Sequence, residues 1–332
     1  MLRAVAVIVS AAALGGCYYT QAASGQLDVL NKREPIDEVI AAPETSGDLA
    51  RKLELVSLAR QFAVDELYLP DNDSYRSYAD IGRDYVVWNV FAAPEFSLEP
   101  KTWCFPVAGC VAYRGYFAED SALKKADRLR SEGYDVVVGG VPAYSTLGRF
   151  ADPVLNTMMH WDDVDLVATI FHELAHQQLY VKGDTEFNES FATAVAEIGL
   201  GLWLEERDEP EAIDAYLERR ALQQQIAELV NAAREDLEVV YASALGQAEM
   251  RLAKQERLDV LGGKIGDVVK AAGRQPPEWT RTAINNARLV SIGLYLGRVQ
   301  EFRDLYEHCG QELACFYERA SSLPPAESSS PR

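Results

Sequence analysis

Basic residues are scarce in this sequence, and nowhere are they clustered. The 332 residues include 32 Lys and Arg against 51 Asp and Glu, which gives a formal net charge of -19. Proteins hold the phosphates of nucleic acids mainly with clustered Lys and Arg, so this composition argues against a nucleic acid as a partner. The acidic character favours solubility.

The N-terminal region lacks an apolar run long enough to span a membrane, which takes about 20 residues. Arg3 instead precedes a short apolar run over residues 4–14, as in a secretory signal peptide. Residues 14–17, Leu-Gly-Gly-Cys, resemble the lipobox of bacterial lipoproteins. The resemblance implies that residues 1–16 are a lipoprotein signal peptide and that Cys17 is acylated after cleavage. An ordinary signal peptide cut nearby is the alternative.

An acylated Cys17 implies a periplasm-facing lipoprotein whose membrane contact is its lipid anchor. Tyr18 rather than Asp follows the cysteine. By resemblance to known sorting rules, this residue favours the outer membrane.

Cysteine is also scarce, with five in the chain and no CxxC motif. A cysteine zinc ribbon or a thioredoxin-like redox centre therefore has no support. Apart from Cys17, the cysteines form two pairs of equal spacing, Cys104 with Cys110 and Cys309 with Cys315. Four cysteines allow three connectivities. We predict the two local disulfides, because the members of each pair are close along the chain and export suits disulfides.

The chain divides by its pattern of apolar residues. Residues 17–46 lack convincing periodicity and are expected to form a tether to the lipid. A helix is expected to follow, with Asp48 as its cap. Four short segments rich in β-branched and aromatic residues predict strands. These segments are 85–91, 102–105, 111–117 and 134–138, with a helix predicted over 121–132.

The pattern of residues 162–322 predicts an almost wholly helical region. Two long helices are predicted over 206–271, and their apolar faces are expected to pack within the same protein. Breaks are expected at Gly262-Gly263 and at 273–277. We expect a catalytic region over 47–200, a helical C-terminal region over 201–323 and a disordered tail over 324–332.

The most informative segment is His172-Glu173-Leu174-Ala175-His176. The two histidines stand four residues apart, so on a helix both imidazoles leave one face and can bind one zinc ion. Glu173 could take a proton from a zinc-bound water as that water attacks a peptide carbonyl.

The surroundings of this segment strengthen the interpretation. Asp162 and Asp163 stand where capping acids belong. Between 166 and 181, Glu173 is the only charged side chain besides the histidines, and a buried carboxylate without a partner is costly. His160 and His308 lack ligand spacing. Two ordinary core histidines remain the alternative.

A catalytic zinc usually has three protein ligands and an open position for water. Glu189 is the predicted third ligand, because it begins a further predicted helix that the 182–184 turn could fold back against the first. Two histidines and a glutamate form the thermolysin-type ligand set. Spacing alone does not exclude Glu186 or Glu197.

Four stretches of the chain together resemble a family of bacterial zinc aminopeptidases, which are gluzincin-type zincin peptidases and often lipoproteins. The stretches are 113–117 (Tyr-Arg-Gly-Tyr-Phe), 139–148, the His-Glu-Leu-Ala-His motif and 184–192. The likeness covers most of the mature chain. It implies a zincin-like α+β fold, with a small mixed or antiparallel sheet followed by active-site helices and a mainly helical C-terminal region.

The same resemblance assigns a metal role to Glu189, because Asn-Glu-Ser-Phe-Ala resembles the third-ligand helix of larger gluzincin aminopeptidases. One position departs from this pattern. Thermolysin-like enzymes often have an acid four residues after the ligand glutamate to orient a histidine, and this chain has Thr193 there.

Candidate substrate-binding residues come from two stretches. Residues 139–148, which include Tyr144, could form an edge strand and loop beside the zinc, where a peptide pairs through its backbone; a structural turn is the alternative. Asn286 and Tyr295 lie in a late segment that resembles the same family. Ordinary helix packing is the alternative role for these two.

The sequence thus predicts a zinc-dependent peptidase with one Zn2+ ion and a peptide substrate. Preference for aminopeptidase action follows from the resemblance alone. The alternatives are a zinc endopeptidase and a catalytically inactive, lipid-anchored zinc-binding scaffold. Because structural zinc sites usually have four protein ligands and three can be named here, the scaffold is the weaker reading.

Overall fold

The computed structural model describes residues 18–105, 109–143, 145–281, 284–293 and 298–324. The predicted signal peptide, the acylated Cys17 and the candidate residues Tyr144 and Tyr295 lie outside the described residues. The predicted tail does as well, except for Pro324.

The range expected to be a tether is folded where it is described. Residues 18–31 form helix α1, followed by strand β1 (Arg33–Pro35) and helix α2 (Ile36–Ala41). Val29, Ile36 and Val39 are buried in the main core. The tether prediction is therefore wrong for this range. Because a strand separates two helices, no single period runs through the sequence.

Helix α3 (Gly47–Asp65) buries Leu53, Val56, Ala59 and Ala63, which is the predicted apolar face. Its cap is Ser46, whose side chain accepts a hydrogen bond from the Leu49 amide, and not Asp48. Asp48 lies in the first turn, where its negative charge is favourable to the helix dipole.

Three small sheets follow or border these helices. The central one is antiparallel in the order β6-β3-β7, and helix α4 covers one face with Ala122, Ala126 and Leu129. A second sheet has the order β1-β2-β8, and β4 and β5 form a hairpin. The bounds are β2 (Ser77–Ala79), β3 (Val87–Pro94), β4 (Trp103–Phe105), β5 (Gly109–Val111), β6 (Tyr113–Tyr116), α4 (Glu119–Ser131), β7 (Tyr134–Val141) and β8 (Val154–Leu155).

The remaining elements of the described chain are helical, apart from short 3-10 turns. They are α5 (Asp163–Gln178), α6 (Thr185–Glu206), α7 (Asp214–Tyr241), α8 (Gln247–Ala271), α9 (Asn286–Gly293), α10 (Val299–His308) and α11 (Leu313–Ser321). Both predicted local disulfides are present, Cys104–Cys110 across the β4–β5 hairpin and Cys309–Cys315 between α10 and α11. Within the described ranges, no helix is long and apolar enough to cross a membrane.

The long helix α8 passes through Gly262-Gly263 without interruption, so the break predicted there is wrong. A side chain at 262 would meet the carbonyl oxygen of Thr280 at 2.5 Å, so glycine serves close packing at this point. The other predicted break is correct: α8 ends at Ala271, and Gly273 has a positive φ of 69°.

The main core joins the active-site helices to the C-terminal ones. Phe187 and Phe191 of α6 contact Phe302 of α10 and Phe316 of α11, with ring centroids 5.2 Å apart for Phe187–Phe302 and 5.9 Å apart for Phe191–Phe316. The predicted boundary at 200/201 lies inside α6. The last helices therefore support the region that precedes that boundary.

Candidate metal centre

Helix α5 presents the His172–His176 segment in its second half. The helix begins after Asp162, whose carboxylate accepts a hydrogen bond from the Asp165 amide at 2.8 Å, as predicted for a capping acid. Leu166, Ile170 and Leu174 face the core and are fully buried. The two histidines therefore point away from the most apolar face, into a cleft.

A hydrogen-bonded turn folds α6 back against α5. Asp184 caps α6 by accepting from the Phe187 amide, and Gly183 has a φ of 86° that favours glycine. The Asn188 side chain accepts from the Val181 amide at 2.7 Å and donates to the Val181 carbonyl at 2.8 Å. These bonds set the position of the neighbouring Glu189.

The turn brings the Glu189 carboxylate to the two histidines. The Nε2 atoms of His172 and His176 lie 3.2 Å apart. One Glu189 oxygen lies 3.4 Å from Nε2 of His172, and the other lies 3.7 Å from Nε2 of His176. Among the described residues, these three form the one group of His, Cys, Asp or Glu side chains arranged to hold a metal ion.

The other acids that spacing left open have different positions. Glu197 accepts hydrogen bonds from Arg220 at 3.0 Å and from Arg303 at 2.7 Å, so both carboxylate oxygens are engaged. Glu186 is half-buried and lies outside the group. His160 and His308 are exposed and also lie outside it.

Burial sets the protonation of the site. Loss of solvent raises the pKa of Glu173 to about 7, with the nearby negative charge of Glu189 adding to the effect. Loss of solvent also lowers the pKa of His176 to about 4. At neutral pH, His176 is therefore a neutral imidazole with a lone pair to offer, and Glu173 can both accept and release a proton.

The group lies in a cleft of about 1010 Å³ whose walls come from α1, the central sheet, the segment after β7 and helices α5, α6 and α7. Tyr113 of β6 and Tyr180, just after α5, line it, as do Arg219 and Arg220 of α7. Asp165 is a further lining acid, but Arg219 donates to it at 2.6 Å.

The description "Putative aminopeptidase" belongs to the family model that matches residues 17–330, nearly the whole chain. The chain belongs to this family. The description indicates peptidase activity, in agreement with the coarse prediction from the sequence. No similar curated protein and no similar solved structure was found.

Several described residues of the stretch 139–148 border the same cleft. β7 is an outer strand of the central sheet. Its last residue, Val141, and the following Pro142, Ala143, Ser145, Thr146 and Leu147 line the cleft. The edge strand and loop are thus both beside the metal-binding group.

A buried carboxylate that sequence reasoning missed holds this loop. Asp152 accepts hydrogen bonds from the Thr146 amide and hydroxyl, both at 2.8 Å. Burial raises the pKa of Asp152 to about 6. No sequence pattern distinguishes this acid from the many solvated ones.

Asn286 is not a substrate-binding residue, which corrects that prediction. It is fully buried, its amide nitrogen donates to the carbonyls of Pro94, Glu95 and Ser97, and its oxygen accepts from Tyr241. With all its bonds made inside the fold, Asn286 joins α9 to the end of β3. The packing alternative is the correct reading.

The departure at Thr193 has a counterpart in the structure. The Nδ1 atom of His176 is buried and has no hydrogen-bond partner among the described residues. Thr193 itself is buried in the cleft wall. No carboxylate of the described residues therefore orients His176 through its Nδ1 atom, as an acid orients a histidine in thermolysin-like enzymes.

Proposed function

We propose that the protein is a zinc-dependent aminopeptidase in which His172, His176 and Glu189 hold one Zn2+ ion and Glu173 is the general base. The convergence of the three ligand side chains carries this proposal. Two ligands about 2.0–2.1 Å from an ion at tetrahedral angles lie roughly 3.3–3.4 Å apart. The separations of 3.2, 3.4 and 3.7 Å between these nitrogen and oxygen atoms suit such an ion.

A bound zinc ion would polarise the peptide carbonyl and activate water for attack. The protein's own contribution is proton transfer. The Glu173 carboxylate accepts a proton from the attacking water and then delivers it to the departing amine nitrogen as the C–N bond breaks. A pKa of about 7 suits both steps at neutral pH.

The family supports aminopeptidase action, while the cleft by itself is also compatible with endopeptidase action. An aminopeptidase must bind a free amine. Of the acids lining the cleft, Glu173 and Glu189 have other roles and Asp165 pairs with Arg219. A pair of peptides, one with a free and one with an acetylated N-terminus, discriminates: an aminopeptidase cleaves only the free one, and an endopeptidase cleaves both.

Glu173→Gln tests the mechanism and separates the enzyme from an inactive scaffold. The amide cannot accept the proton, so turnover of amino-acyl peptides should fall roughly a hundredfold or more. Zinc content, measured by mass spectrometry of the purified protein, should remain near normal because Glu173 is not a ligand. Equal turnover by wild type and variant would reject Glu173 as the base, and no turnover by the zinc-loaded wild type would favour the scaffold.

We also propose, on the lipobox alone, that Cys17 is acylated and that the protein faces the periplasm from the outer membrane. Mass spectrometry of the mature N-terminal peptide tests this. An unmodified Cys17 would contradict it.

A further inference from the structure

Helix α1 is both a wall of the cleft and the first element after Cys17. Tyr18, Ala22 and Gln26 line the same cleft as the metal-binding group. They are spaced four residues apart, so they share one helix face. The wall of the cleft therefore begins one residue after the proposed site of acylation.

Close contacts hold α1 on the end of the central sheet. The Arg114 guanidinium of β6 lies 3.9 Å from the centre of the Tyr18 ring. The Gln21 side chain accepts a hydrogen bond from the Phe117 amide at 3.2 Å. A side chain at Gly25 would lie 2.1 Å from the Phe117 ring, so helix and ring touch directly. α1 is thus part of the folded body and not a spacer.

The opposite face of α1 is open to solvent, and an apolar row on it lies beside the exposed, uncharged side chains of Thr20 and Ser24. Tyr19 and Leu27 are exposed by 52% and 56%, and Ala23 lies exposed between them. A tyrosine ring suits the headgroup region of a bilayer, and apolar side chains there add to the binding that acyl chains provide. A bilayer is the partner that fits this face, because the acylated residue directly precedes it.

We propose that α1 lies on the membrane and holds the cleft at its surface, so that the substrates are peptide chains attached to or lying on the bilayer. This inference rests on the proposed peptidase function and on acylation of Cys17. Consecutive Cα atoms are about 3.8 Å apart, so Tyr18 cannot leave the surface, whereas a flexible tether of about 20 residues would allow roughly 25 Å.

The test compares the lipidated protein in phosphatidylethanolamine–phosphatidylglycerol vesicles with a variant that has a Gly/Ser linker of about 20 residues between Cys17 and Tyr18. The substrates have a free N-terminus and a lipid at the C-terminus, joined by a short or a long spacer. A soluble peptide of the same sequence is the control. The wild type should cleave the short-spacer peptide at least about tenfold faster than the long-spacer one, since its effective concentration at the cleft is higher.

In the linker variant this preference should disappear while cleavage of the soluble peptide is unchanged. An equal short-to-long ratio in the two proteins would overturn the inference. If neither protein cleaves the soluble peptide, the proposed function fails instead. The proximity of α1 to the bilayer is then measured directly. A fluorophore on Ala23→Cys should be quenched by nitroxide lipids in the wild-type background and less strongly with the linker; no quenching in the wild-type background would also overturn the inference.

Discussion

The chemistry of this site depends on a carboxylate that is buried without a cationic side-chain partner. Glu173 has no ion pair among the described residues, and burial is the main reason that its pKa is raised to about 7. Glu189 is the opposite case. Burial raises its pKa, but the two facing histidines have the larger effect, so the pKa of Glu189 is lowered. The environment therefore gives the two glutamates different protonation behaviour, which suits the proposed roles of base for Glu173 and ligand for Glu189.

Glu189 and Glu186 provide a matched test of the ligand assignment, because both begin α6 and only Glu189 faces the histidines. Glu189→Ala should lower zinc occupancy and turnover together, since one of three ligands is lost. Glu186→Ala should leave both near the wild-type values. Full zinc occupancy and full activity in Glu189→Ala would contradict the assignment of Glu189 as the third ligand. A loss of both in Glu186→Ala would assign that role to Glu186 instead.

The second prediction concerns Asp152, whose pKa in the folded protein is about 6 against an ordinary 3.8. Between these values the folded state binds more protons than the unfolded state, so stability falls as pH rises through this range. One pKa unit corresponds to about 1.4 kcal/mol. From about pH 4 to about pH 7, wild type should therefore lose about 2 kcal/mol of unfolding free energy relative to Asp152→Asn.

Urea unfolding at the two pH values measures this difference, with Asp127→Asn as the control. Asp127 is exposed, and among the described residues it pairs with Arg130 of its own helix. Its substitution should leave the pH dependence unchanged. A pH dependence of Asp152→Asn equal to that of wild type would contradict the burial argument.

Among the secondary-structure elements, the junction between α5 and α6 decides whether a metal site forms. Asn188 fills the angle between the helices by bonding to both backbone groups of Val181. Asn188 lies outside the group that could hold a metal ion, so its effect on that group is through the position of Glu189.

Asn188→Ala should therefore weaken zinc binding without removing a ligand. The change leaves the partly buried backbone groups of Val181 without their partner, so unfolding free energy should fall by about 1–2 kcal/mol. The zinc dissociation constant, measured by chelator competition, should rise roughly 10- to 100-fold, as for other residues that position ligands. Asn231→Ala, at an exposed position of α7, is the control. Unchanged zinc affinity in Asn188→Ala would show that α6 needs no such support.

The sequence predicts the parts of the site that depend on local spacing. His172, Glu173 and His176 lie within one turn and a half of a single helix, and their relation follows from helix geometry alone. Asp162 is recognisable as a cap by its position before an apolar helical pattern. Glu189 needed the resemblance to the family, because spacing left Glu186 and Glu197 open.

Other features arise only from tertiary contacts and could not be read in advance. Strands β1, β2 and β8 have two or three residues each, too few for a period to appear. Helix α1 buries only part of its surface, against Phe117 and Arg114. The structural role of Asn286 depends on hydrogen bonds to carbonyls almost two hundred positions earlier in the chain.

For the molecule as a whole, the three candidate ligands lie on the two central helices of its largest core. That core also includes α3 and the C-terminal helices α10 and α11. A metal ion that binds His172, His176 and Glu189 thus cross-links elements on which the rest of the fold packs. We therefore expect the metal to contribute to the stability of the protein as well as to its activity.

Removal of the metal is the last prediction. An ion that binds the folded state and not the unfolded one adds about 2.7 kcal/mol at a free concentration a hundred times its dissociation constant. Chelation should therefore lower the midpoint of thermal unfolding by on the order of 5 °C, and added zinc should restore it. Glu173→Gln, which keeps all three ligands, should show the same shift, whereas Glu189→Ala should show little or none. An unfolding midpoint that chelation leaves unchanged in the wild type would contradict a metal bound within the core, whatever the activity of the protein.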